Sequence, residues 1–139
     1  MTDRNIRVIF DTNVWISFLI GKRLTKIKQY IVNKNITIVV TDQLLTELKI
    51  VTSREKLKKY FPKNSVTHLI ELLVAIAEHI KIEPTHFINR DPKDNFLLDL
   101  IDFSKADYLV TGDKDLLELN PFKTARILTP TDFEQEIEA

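Results

Sequence analysis

Short β-branched runs recur along this chain, each followed by a stretch of helical periodicity, and that alternation limits the folds it can adopt. Candidate strands fall at residues 8–10, 36–40, 80–82, 108–110 and 127–128. Candidate helices fall at 14–20, 24–33, 43–52, 54–60, 65–78, 93–104, 114–118 and 131–138. The clearest helical stretch carries Val66, Leu69, Ile70, Leu73, Ile76, Ala77 and Ile80 on one repeat of about 3.6 residues. Strands separated by helices pair in parallel through right-handed crossovers, which leaves helices on both faces of the sheet. The expected fold is therefore an α/β, three-layer α/β/α sandwich around a mostly parallel sheet of roughly five strands.

A chain of 139 residues suits one domain, here 1–139, with a sizeable core. The five prolines all stand between periodic segments, and no repeat, low-complexity tract or linker interrupts the pattern. The absence of cysteine excludes a disulfide framework and a thiolate metal site. No apolar run approaches the roughly 18–20 residues that span a bilayer, and "MTDRNIRV" lacks the apolar core of a signal peptide. These readings place the chain in the cytoplasm, without a membrane partner. Twenty basic and twenty acidic residues cancel, which argues against a dedicated nucleic-acid coat. Two local basic clusters remain, Lys22, Arg23, Lys26 and Lys28, then Arg54, Lys56, Lys58, Lys59 and Lys63. Each is either a solvated face or a contact for phosphate.

In an open parallel sheet, ligands bind beyond the carboxyl ends of the strands. Several acids fall there. Asp11 ends the apolar run of the first strand, and Asp113 and Asp115 follow the fourth in "TGDKDLL". Glu47, in "TDQLLTELKIV", lies within about 40° of Val51 at the border of an apolar helical arc. Asp94, in "RDPKDNFLLDLI", falls angularly between Leu98 and Ile101, while Asp99 and Asp102 are expected on the polar stripe.

Structural readings exist for each acid. Asp11 can cap the first helix. Asp91 before Pro92 suits an N-cap, with Asp94 completing a capping arrangement. Asp113 can cap the helix that follows, and Asp115 can complement its dipole. Taken together, four acids from separate elements facing one edge of a sheet need neutralising, and no Lys or Arg shares their inward faces. A hard divalent cation would do it. Oxygen ligands without Cys or His point to Mg²⁺ or Mn²⁺ rather than Zn²⁺, and such ions serve phosphoryl and phosphodiester chemistry. His68, His79 and His86 are not paired at metal-ligand spacing and read as structural or solvent-facing. Trp15 and Phe18, three residues apart, read as core.

The stretches "FDTNVWIS", "TELK", "RDPKDNFLLDLI", "ADYLVTGDKDLL" and "ILTPTDF" together resemble the PIN domain, and more narrowly the PIN toxin components of bacterial toxin–antitoxin systems. The resemblance covers nearly the whole chain, with little signature over 53–89. It implies a parallel sheet between helices and a Mg²⁺- or Mn²⁺-dependent ribonuclease. It implies Asp11, Glu47, Asp94 and Asp113 as the catalytic, metal-holding quartet. Asp91 and Asp115 become accessory acids, and Asn13 and Thr111 become polar residues that orient the carboxylates. RNA becomes the substrate, an antitoxin protein a partner, and a homodimer the assembly. The same family also serves in RNA maturation and decay. A second reading is a binding module for RNA or an antitoxin with weak catalysis. A third, a haloacid-dehalogenase-like phosphatase, fails because Asn13 stands where that chemistry needs a second, proton-donating Asp.

Overall fold

The computed structural model describes residues 5–61, 64–84 and 95–138. The elements run β1 (Ile6–Phe10), α1 (Thr12–Ile20), α2 (Leu24–Asn33), β2 (Ile36–Val40), α3 (Asp42–Thr52), α4 (Glu55–Lys58) and α5 (Ser65–Ile76). They continue with β3 (Glu78–His79), α6 (Asn95–Ser104), β4 (Tyr108–Val110), α7 (Lys114–Leu117), β5 (Arg126–Leu128) and α8 (Pro130–Glu138). All strand pairs are parallel, and the sheet order is β3-β2-β1-β4-β5.

Successive strand residues point to opposite faces of a sheet. Val8 and Ile9, Val39 and Val40, and Leu109 and Val110 are neighbours in sequence, yet all six are fully buried. Both faces are therefore covered, which is the three-layer α/β arrangement expected from the alternation of elements. From β1 the chain first builds β2 and β3 to one side, then returns to build β4 and β5 on the other. The reversal of strand order lies between β1 and β4.

The core concentrates behind the end of β1. The Phe10 ring meets Trp15, Phe18 and Phe133 edge-on, at centroid distances of 5.0, 5.4 and 5.7 Å. Trp15 and Phe18 are core residues, as their spacing suggested, and so present no exposed stripe to a second chain.

Three expectations change. The helix expected to reach residue 78 stops at Ile76, because Ala77 turns to extended backbone with ψ at 151°. The third strand accordingly starts earlier, at Glu78–His79 instead of 80–82, although the Ile80 amide still donates to the Val40 carbonyl at 2.9 Å. Asp99 does not lie on a polar stripe: it is 2 % exposed. Helix α6 is buried on every side from Asn95 to Ile101, so it has no polar face at that point. The expected start of this helix at 93 lies outside the described residues.

The acidic C-terminal helix is more than a solvated face. Glu134 pairs with Arg23 at 2.6 Å, Glu138 accepts from the Tyr30 hydroxyl at 2.5 Å, and Glu136 accepts from the Tyr108 hydroxyl at 2.7 Å. Burial first, and then the bond to Glu136, push the Tyr108 hydroxyl from 10.0 up to about 12. The same bond and Arg126 hold the Glu136 carboxyl below its ordinary value. A raised folded value means the native state holds the phenolic proton more tightly than the unfolded chain. That stabilisation is complete below pH 10 and is lost as pH rises through about 12. The Glu136 contribution runs the other way: it is present above the ordinary carboxylate range and is lost on acidification. Urea unfolding of Tyr108→Phe should therefore show a deficit against wild type at neutral pH that closes between pH 10 and about 12. A deficit independent of alkaline pH would show that the hydroxyl bond contributes nothing.

Candidate active site

Asp11 stands one residue beyond β1, where its amide donates to the Val110 carbonyl at 3.1 Å. The register pairs Val8 with Tyr108, Ile9 with Leu109 and Phe10 with Val110. The next rung brings Asp11 beside Thr111, at the carboxyl edge of the sheet and at the strand-order reversal, where open α/β sheets place their ligands.

One oxygen of Asp11 caps α1, accepting from the Val14 amide at 2.9 Å, so the capping reading is correct. The other accepts a short hydrogen bond from the Thr111 hydroxyl. Thr111 is fully buried, and its oxygen accepts in turn from the Asp113 amide at 3.1 Å. Asp113 then caps α7, accepting from the Asp115 amide at 2.9 Å. One chain of hydrogen bonds thus ties the loop after β4 to the end of β1.

Asp11 is only 6 % exposed. Burial is the main cause that holds its carboxyl above the ordinary value of 3.8; the bonds from Thr111 and Val14 oppose this, and the negative charge of Asp113 adds to it. A charge from Asp113 felt at Asp11 means the two carboxylates share one electrostatic neighbourhood. Among the described residues no Lys or Arg forms an ion pair with either.

The other sequence-derived candidates are placed as follows. Glu47 is half-buried on α3, the helix that packs against α1. Asn13 is exposed in the first turn of α1, and its backbone N–H also bonds to Asp11. Asp115 is half-buried in the first turn of α7. Asp91, Asp94 and His86 lie outside the described residues. Among the described residues, no three acids or histidines close into one metal-holding group. The structure thus joins Asp11, Thr111, Asp113 and Asp115 directly, while Glu47 stands on a separate helix. His68 and His79 are exposed. Of the early basic cluster, Arg23 and Lys26 are engaged by Glu134; Arg54, Lys56 and Lys59 are exposed.

Two carboxylates and a hydroxyl are hard oxygen donors, which suits Mg²⁺ or Mn²⁺ in donor chemistry. Thr111 orients the Asp11 carboxylate and holds the backbone amide of Asp113. Were Asp11 to hold such an ion, Thr111→Val should lower metal affinity roughly 10–100-fold, the usual effect of losing a hydrogen bond that supports a ligand. Thr111→Ser should restore most of it. Calorimetric titration with Mn²⁺ checks both variants, and equal affinity in wild type and Thr111→Val would remove the orienting role.

A buried acid at the strand-order reversal of a parallel sheet places the chain in the class of open α/β proteins that bind ligands at that edge. Within this class the chain belongs to the PIN-domain family: the sequence profile of the PIN domain matches residues 7–115, a span that includes Asp11, Glu47, Asp113 and Asp115. PIN domains are generally nucleases, and they generally use divalent metal ions. The uncharacterized protein MJ1680 of Methanocaldococcus jannaschii is 28 % identical over 144 residues, covering 96 % of this chain and 92 % of its own length. The crystal structure of PAE2754 from Pyrobaculum aerophilum superposes with a TM-score of 0.60 at 13 % identity, over 96 % of this chain and 91 % of that one. That likeness concerns the fold.

Proposed function

We propose that this chain is a Mg²⁺- or Mn²⁺-dependent endoribonuclease acting as the toxin of a toxin–antitoxin pair. The observation that carries the reading is the buried Asp11 carboxylate, facing the charge of Asp113 without a basic partner among the described residues. Asp11 and Asp113, with Glu47 and Asp94, would hold the ion. Such an ion, when bound, makes a water acidic enough to act as a nucleophile near neutral pH and offsets charge on the phosphate. Thr111 fixes one Asp11 oxygen, and the α1 amide of Val14 fixes the other, so the carboxylate meets its ligand already oriented. The loop from Thr111 to Asp115 carries the second carboxylate at a set distance from the first. Asp91, Asp115 and Asn13 would support the ligands from their periphery.

The toxin role rests on the motif resemblance, and with it come an antitoxin partner, a homodimer and a cytoplasmic setting. No described helix is long and apolar enough to cross a membrane. Exposed Ile50, Tyr60, Val74, Ile76 and Phe103 are available to a protein partner.

Cleavage of single-stranded RNA by the purified chain, with Mn²⁺ and then with excess EDTA, tests the reading. We expect cleavage with the ion and none after chelation. Cleavage that survives EDTA removes the metal chemistry. Binding of RNA without cleavage under any metal turns the chain into a binding module.

A further inference from the structure

A second feature opens on the same edge of the sheet. Continuing the β1–β2 register, in which Val8 pairs with Ile38, brings Thr41 beside Asp11; β2 then pairs Val40 with His79. Beyond these strand ends lies a cavity of about 500 Å³ lined by Thr41, Asp42, Gln43, His79, Lys81 and Ile82. Neighbouring strands lie about 4.8 Å apart, so the cavity begins one strand from Asp11, a distance an extended nucleic-acid strand covers in a step or two.

The lining selects a ligand. Lys81 is an exposed cation suited to an anionic phosphate, and exposed His79 stands beside it. The His79 Nε2 lies 3.3 Å from the Leu73 carbonyl; donating there orients the ring and leaves Nδ1 to accept from a hydroxyl or amino group. Asp42, in the first turn of α3, would repel a bare phosphate but accepts from a hydroxyl or amino group. Gln43 both donates and accepts, and half-buried Ile82 offers an apolar wall to a base. Thr41 is 4 % exposed, and its hydroxyl makes no capping bond to α3. A ligand that is anionic at one end, rich in donors at the other and flat enough for an apolar wall is a nucleotide.

We infer that this cavity is a binding subsite for a nucleotide of single-stranded RNA flanking the scissile phosphate, with Lys81 on its phosphate and His79, Asp42 and Gln43 on its ribose or base. The inference rests on the nuclease reading for its place in catalysis but not for nucleotide binding as such. A larger cavity of about 590 Å³, lined by Lys49, Thr52, Phe61 and Ile70 among others, contains none of the candidate acids and is not needed for this role.

Two measurements test it together. In the first, Gln43→Ala and Lys81→Ala are assayed on a short single-stranded RNA, with Lys123→Gln as an exposed control for loss of charge. Each of the first two should raise KM about tenfold with kcat nearly unchanged, the mark of lost ground-state binding, while the control should not. In the second, uridine 5′-monophosphate is titrated without metal, and the amide resonances of Gln43, Ile80 and Ile82 should shift. If wild type cleaves but both variants keep its KM, the subsite is wrong and the nuclease reading stands. If no RNA is cut yet the nucleotide shifts those amides, the nuclease reading falls and the nucleotide site stands. If neither occurs, both fall.

Discussion

Asp11→Asn is expected to lower RNA cleavage about a thousandfold or more, several kcal/mol of transition-state stabilisation, while the metal-free fold becomes more stable. Asn keeps an oxygen for the Val14 amide and an amide that the Thr111 hydroxyl can accept from, so the local frame survives. What disappears is a carboxylate whose proton affinity is raised, first by burial and then by Asp113. The folded state binds that proton more tightly than the unfolded chain. The stabilisation is therefore present below the ordinary value of 3.8 and is lost as pH rises through the higher folded value. Above that point the buried anion opposes folding. Thermal melts in EDTA should show Asp11→Asn above wild type near neutral pH, with the gap closing on acidification. Added Mn²⁺ should raise the melting temperature of wild type alone, because the ion binds only the native site. A variant that melts below wild type at every pH would show that Asp11 is chiefly a cap.

Phe10→Ala should be the most damaging single truncation of the core. The ring is 2 % exposed and touches three other aromatic rings edge-on. Removing a buried Phe costs about 3–5 kcal/mol, part lost burial and part the cavity left behind. For a chain of this length that corresponds to a fall in melting temperature of roughly 10–17 °C. Because α1 hangs on Trp15 and Phe18, Asp11 would also lose its rigid base, and cleavage should fall with stability. A drop of only a few degrees would mean that the surrounding rings collapse into the space.

Much of this architecture was legible in the sequence. Val8, Ile36 and Leu109 sit in runs too short and too β-branched for helices, and helical stretches separate them, so parallel strands followed. The boundary was legible at the Asp113 cap, but α1 starts at Thr12 and not at 14, and a helix that ends without a marker was not legible. Nothing in "LLVAIAEHIKI" says that the helix stops at Ile76, since its apolar repeat runs on. Asp99 misled for a related reason. A wheel assigns it to a polar stripe by elimination, but "NFLLDLI" is apolar nearly all round, and that was the available signal that no solvent face exists there.

For the candidate site, the residue types were legible and the partnerships were not. Thr111 stood out beside the acids, yet which oxygen it meets depends on β4 pairing with β1, and strand order leaves no trace in local periodicity. Thr41 was not legible at all as a site residue, because its position follows from the same pairing on the opposite side of β1.

The hydrogen bond from Thr111 to Asp11 joins residues 100 apart in the chain. During synthesis Thr111 emerges from the ribosome 100 residues after Asp11. Closing so large a loop into a parallel pair is a late event in folding. A nascent or truncated chain lacking β4 therefore carries its acids without the frame that arranges them. Any chemistry that needs both acids in register therefore starts only once the sheet is closed.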